Sequence, residues 1–189
     1  MQPSYKHYLK IIRNTCTGHE RPVTIPSEEL ADLARLAEDH CTVPFVLSAF
    51  RGTPFYPSML QRTRSMMLNY YQIDQFTRHT VSLLEDNGID CILLKGISLA
   101  SCYPVPEYRK LGDLDLYISR KSDVSKAQKL LEANGYIAEN ELSDHHLTYH
   151  YTFPKTGRRF LLELHYRVVG MYQYERANEI VDQVYSFEN

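Results

Sequence analysis

The chain has 189 residues, 43% of them hydrophobic and 23% charged, and a formal net charge of -2 from 21 Lys and Arg against 23 Asp and Glu. That length supports one sizeable core with room for a small helical lobe, and the near-neutral balance excludes a global basic field for a nucleic-acid backbone or an anionic membrane. No window approaches the roughly 20 apolar residues of a spanning helix, the first residues lack a signal-peptide run, and Cys16, Cys41, Cys91 and Cys102 are too scattered for structural zinc. A soluble, cytoplasmic protein with reduced, buried thiols is expected, without a membrane partner or an extended nucleic-acid surface.

Tyr5 to Cys16 carries apolar residues at helical intervals until Gly18, Pro22 and Pro26 break the pattern. Ser27 is placed to cap a helix with Leu30, Leu33, Leu36 and Ala37 along one face, ending before Pro44. The longest periodic segment runs from Met59 to Glu85, with Met59, Thr63, Met66, Tyr70, Ile73, Thr77, Val81 and Leu84 every three or four positions, and Asn87-Gly88 stops it. Cys91 to Leu94 is a continuous apolar run suited to a strand buried on both faces. Lys95-Gly96-Ile97-Ser98 then makes a glycine turn opening a short helix. Gly112 to Ile118 alternates, and Ser122 is placed to cap a helix over Val124 to Asn134. A strand near Tyr136, a loop with His145 and His146, a strand over Leu147 to Phe153, a turn at Lys155 to Gly157, a strand over Arg159 to Val168 and a terminal helix complete the pattern. The fold class is therefore α+β: a small mixed sheet flanked by helices, behind an N-terminal helical region. The expected divisions are residues 1–87 (helical), 88–170 (core) and 171–189 (terminal helix or tail).

The polar residues of the core fall into a pattern. As a strand, Gly112 to Ile118 puts Asp113, Asp115 and Tyr117 on one face and Leu114, Leu116 and Ile118 on the other. Adjacent carboxylates repel, and a divalent cation resolves the conflict, so Asp-x-Asp suits magnesium-assisted phosphoryl or nucleotidyl chemistry. In the last strand Glu163 and His165 share the polar face, opposite Phe160, Leu162 and Leu164. Gly96 and Ser98 at the turn offer donors to a triphosphate, and Lys95 and Arg109 offer charge, although either cation can equally pair with carboxylates nearby. His145, His146 and His150 have a spacing that would bind zinc on a helix, but a loop leading into a strand removes that meaning, and hydrogen-bonded histidines are expected.

At Leu93-Leu94-Lys95-Gly96, Tyr103-Pro104, Arg109 to Leu116, Asn134-Gly135-Tyr136 and Leu162-Glu163-Leu164-His165-Tyr166 the sequence resembles the nucleotidyltransferase superfamily sharing the DNA polymerase beta-like fold. It looks closest to the bacterial family labelled uncharacterised nucleotidyltransferase. The resemblance covers roughly Asp90 to Arg167, with Ile97 intervening between the turn glycine and Ser98. It implies an enzyme that moves a nucleoside monophosphate from a nucleoside triphosphate to a hydroxyl of an unidentified acceptor (small molecule, protein or tRNA). Asp113, Asp115 and Glu163 would serve catalysis and hold two Mg2+ ions, with Lys95, Gly96, Ser98 and Arg109 at the triphosphate. The alternative is a catalytically inactive binding or regulatory module of the same fold, or a toxin-antitoxin component. Loss of either aspartate is expected to abolish activity and leave the fold intact, or stabilised by relieved repulsion.

Overall fold

The computed structural model describes residues 3–18, 23–139 and 143–184. They divide into two units, Met1–Gln72 with Leu99–Leu111, and Ile73–Ser98 with Gly112–Asn189. The helix α4 (Tyr56–Glu85) contributes to both.

The first unit is helical. Its core joins Tyr8 and Ile11 of α1 (Pro3–Cys16), Leu33 and Ala37 of α2 (Leu30–Asp39), Val43 and Val46 of α3 (Val43–Val46), then Phe50 and Met59. The leucine spacing read from the sequence is the buried stripe of α2. A hydrogen bond of 2.7 Å between the hydroxyls of Tyr8 and Thr42 ties α1 to the end of α2. Ser27 does not cap α2. It opens a 3-10 turn, Ser27–Glu29, its hydroxyl turns to Glu28, and α2 begins at Leu30 without a side-chain cap. At the other end Cys41 takes φ 54, a left-handed conformation that lets the Thr42 amide reach back to the Ala37 carbonyl at 2.8 Å.

The second unit is built on a five-stranded sheet in the order β1-β2-β5-β4-β3. The strands are β1 (Cys91–Leu93), β2 (Leu114–Ile118), β3 (Ile137–Ala138), β4 (His146–Thr152) and β5 (Arg159–His165). β2 and β5 run parallel at the centre, and the remaining pairings are antiparallel. Leu114, Leu116, Ile118, Leu162 and Leu164 are buried on one face. Phe76 of α4 stacks there on Phe160, with ring centroids 4.9 Å apart, and on Tyr151 and Tyr136 at 6.0 and 6.2 Å. The hydroxyl of Tyr136, pushed above the ordinary phenol range by burial, is satisfied by Thr80 at 2.8 Å. Ala127 and Leu131 are the buried positions of α6 (Lys121–Ala133), and α7 (Glu175–Val184) ends the described chain.

The structure corrects four local expectations. The Cys91 run is an edge strand, with Ile92 39% and Leu93 36% exposed, because an apolar run of that length does not say how many neighbours a strand has. α6 starts at Lys121, two residues earlier than a Ser122 cap requires; Arg120 reaches Asp123 in its first turn, and no side chain caps it. Asp113 precedes β2 rather than lying in it. The four thiols are unpaired but none is buried, Cys16 and Cys102 being exposed. Among the described residues no helix is long and apolar enough to cross a membrane.

Candidate active site

The parallel pairing of β2 with β5 sets Asp115 directly beside Glu163, and Tyr117 beside His165. The antiparallel pairing of β5 with β4 adds Thr148 beside Glu163 and His146 beside His165. Since paired residues share a face, the sheet's polar side concentrates carboxylates and imidazoles from three strands while the alternate residues form the core.

Asp115 is buried, its side chain 1% exposed, and still charged. Burial opposes that charge, but the hydrogen bonds with His165 and Lys95, and the charge on Lys95, lower its pKa to about 2. Lys95 donates to Asp115 Oδ1 at 2.8 Å and lies 3.6 Å from Glu163 Oε2. Burial alone would depress the lysine, but the bond to Asp115 and the charges of Asp115, Glu163 and Asp113 raise it above its ordinary range.

The turn that delivers Lys95 explains Gly96. The Leu94 amide donates to the Asp115 carbonyl at 3.0 Å, which extends the β1 ladder to the site's edge. The chain then reverses through Gly96 at φ 45 and ψ -113, where a Cβ would meet the Asp113 carbonyl oxygen and Asp115 Oδ2 at 3.7 Å. That space is ordinary contact, so the requirement for glycine is conformational. Gly96→Ala is expected to cost about 2 kcal/mol of stability by chemical denaturation, as strain in a glycine-only backbone region. The following helix α5 (Lys95–Ala100) is short. The Ser98 hydroxyl turns back on the turn, 2.7 Å from the Lys95 carbonyl and 2.9 Å from that of Leu94.

His165 completes the centre. Its Nδ1 is 3.3 Å from the Arg167 carbonyl oxygen, an acceptor only, so Nδ1 carries the proton. Its Nε2 faces Asp115 Oδ1 at 3.2 Å and Glu163 Oε2 at 3.3 Å. A proton on Nε2 makes it a donor to Asp115, and a metal ion can take that proton's place. One ligand atom from each of Asp115, Glu163 and His165 falls within 4.8 Å of the others, a donor set of oxygen and nitrogen able to hold a divalent ion.

The residues singled out in the sequence are thus distributed unevenly. Asp115, Glu163, Lys95 and Gly96 meet. Asp113, half-buried just before β2, is outside that donor set, though its charge is felt at Lys95. Arg109 belongs to the helical unit, where its guanidinium donates to the Tyr103 hydroxyl at 3.1 Å and lies over the same ring. The sequence signal for His165 was its alternation with Glu163; its contact with Asp115 depends on which strands pair.

Fold and site together define an α+β protein with a carboxylate centre on the polar face of a mixed sheet, at the junction of two parallel strands. The chain belongs to the family described as uncharacterised nucleotidyltransferase, whose model matches residues 26–187. The match begins well before the Asp90 to Arg167 span on which the sequence resemblance rests, and so takes in α2, α3 and α4. No curated protein and no solved structure gives a match.

Proposed function

We propose that the protein is a magnesium-dependent nucleotidyltransferase that moves a nucleoside monophosphate from a nucleoside triphosphate to a hydroxyl acceptor. The observation that carries this is the pairing of Asp115 with Glu163 on adjacent parallel strands, in a chain of a nucleotidyltransferase family. Asp113, Asp115 and Glu163 would hold two Mg2+ ions, which when bound supply charge neutralisation and a more acidic acceptor hydroxyl. The acceptor oxygen bonds to the α-phosphorus, the bond from that phosphorus to the bridging oxygen breaks, and pyrophosphate leaves. Glu163 would take the acceptor's proton. Lys95, whose ammonium is bonded to Asp115, would swing on its long stem to the triphosphate, and the Gly96 turn would let the backbone approach it.

Calorimetric titration with a non-hydrolysable ATP or GTP analogue, with and without Mg2+, tests the reading. Binding that requires Mg2+ and is lost in Asp113→Asn/Asp115→Asn supports it; no triphosphate binding under any condition overturns it. A second reading, a non-catalytic binding module of the same fold, draws on Lys95, whose ammonium already neutralises Asp115. Lys95→Ala separates the two. For an enzyme, removing the competing cation tightens Mg2+ binding without nucleotide by about tenfold, from the loss of roughly one pK unit of charge competition, and weakens triphosphate binding. A module in which Lys95 has permanently replaced the metal shows no Mg2+ binding in either protein.

A further inference from the structure

Three histidines meet beside the carboxylate centre in a way their spacing along the chain did not foretell. His146 pairs with His165 across β4 and β5, and His145 precedes it at the strand's edge. One ligand nitrogen from each of His145, His146 and His165 lies within 4.8 Å of the others. The ring centroids are 4.3 Å apart for His145 and His146, 5.2 Å for His146 and His165, and 5.5 Å for His145 and His165. Three imidazoles around a tetrahedral ion, each nitrogen about 2.1 Å from the metal, have centroids about 5 Å apart.

The outer nitrogens of His145 and His165 are already committed. His145 Nδ1 donates to Asp144 Oδ1 at 2.7 Å, which leaves Nε2 as a lone pair 3.0 Å from His146 Nδ1. His165 Nδ1 donates to the Arg167 carbonyl. A carboxylate or carbonyl behind a ligating histidine sets its tautomer and aims its other nitrogen. The segment is also held firmly. The amides of Tyr166 and Arg167 both donate to the His145 carbonyl, the Tyr166 hydroxyl donates to the Ser143 carbonyl at 2.8 Å, and the Met171 amide donates to Asp144 Oδ2 at 2.8 Å.

We propose that His145, His146 and His165 form a binding site for a nitrogen-preferring divalent cation of the Zn2+ class, with water in the remaining position and Asp144 as the outer support of His145. The site shares His165 with the carboxylate centre, but its all-imidazole donors favour a different ion from the oxygen-rich Asp115 and Glu163 pair, which suits Mg2+. The site does not depend on nucleotidyl transfer and would stand if that reading failed.

The test uses the purified full chain, with Zn2+ affinity measured against a chromophoric chelator and coordination read from the visible spectrum of the Co2+ form. The wild type is expected to bind one equivalent of Zn2+ and to give the intense visible bands of four-coordinate Co2+. His145→Ala and His146→Ala should each abolish those bands and weaken Zn2+ by about 100-fold or more, and Asp144→Asn by about 10-fold, as loss of an outer partner does. His150→Ala should leave Zn2+ affinity within about 3-fold, since His150 bonds to Glu139 and not to this cluster. Circular dichroism establishes that each variant is folded, and His146→Gln replaces His146→Ala if the latter is not. Zn2+ bound as tightly by the folded histidine variants as by the wild type, or lost in Asp115→Asn alone, would overturn the proposal by placing the ion on the carboxylates. A wild type that fails to compete with the chelator overturns it as well.

Discussion

Asp115→Asn is expected to reduce triphosphate-dependent transfer by about a thousandfold or more, the scale of losing a preorganised charge at a reaction centre. The measurement is incorporation of label from an α-labelled triphosphate into an acceptor in cell extract, compared with wild type at equal protein. Its effect on the fold differs from what the sequence implies. Two neighbouring aspartates invite the idea that removing one relieves repulsion. Here Asp115 is compensated on every side that matters, by Lys95 at 2.8 Å and by His165 at 3.2 Å. Deleting the carboxylate in Asp115→Ala strands His165 in a buried position and is expected to cost about 3 kcal/mol, the low end for a broken buried pair, because Lys95 is half exposed and can turn to water. The asparagine isostere keeps an acceptor and costs less.

The same anion sets a sign for acid sensitivity. Its pKa is lowered on folding, from 3.8 to about 2, so the folded state binds fewer protons between those values. Its contribution is complete above the unfolded value and is lost as pH falls through the folded one. Acid titration followed by circular dichroism should show the wild type losing this stability only below about pH 4, with Asp115→Ala lacking that component.

Phe76→Ala is expected to have the largest effect on stability, about 4 kcal/mol, which for a chain of this size lowers the melting temperature by on the order of 10 °C. Phe76 is 1% exposed and packs against Tyr136, Tyr151, Phe153 and Phe160, so no neighbour can collapse into the space without leaving its own stack. Thermal unfolding by calorimetry checks it. Because the opposite side of β5 carries Glu163 and His165, looser packing beneath that strand should also loosen the carboxylate centre. Phe76→Leu, which keeps most of the volume, is expected to retain most of the stability.

Much of the molecule follows from residue order alone. The alternation of Leu114, Leu116 and Ile118 with Asp115 and Tyr117, and of Leu162 and Leu164 with Glu163 and His165, already divides each strand into a core face and a polar face. A period of two leaves no other choice once one face is apolar. The helices over α2 and α4 announce themselves by their leucine, methionine and isoleucine spacing, and Gly96 by its place between an apolar strand and a helix. Their ends were harder to read: Ser27 and Ser122 have capping chemistry, yet the first turns begin elsewhere, because a cap is a matter of backbone geometry that composition does not carry.

Only the tertiary structure decides which strands are neighbours. Pairing β2 with β5 in parallel, across an interval of sequence that holds α6, β3 and β4, is what makes Asp115 and Glu163 one site rather than two scattered acids. Pairing β4 with β5 turns His146 and His165 into partners, a relation that the spacing of His145, His146 and His150 along the chain does not carry. The β4 strand instead sends His150 to Glu139. Local sequence determines the face each residue occupies, because that is fixed by the pleat. The company it keeps on that face depends on register between distant segments, and hydrogen-bonded ladders form with whichever order buries the apolar faces together.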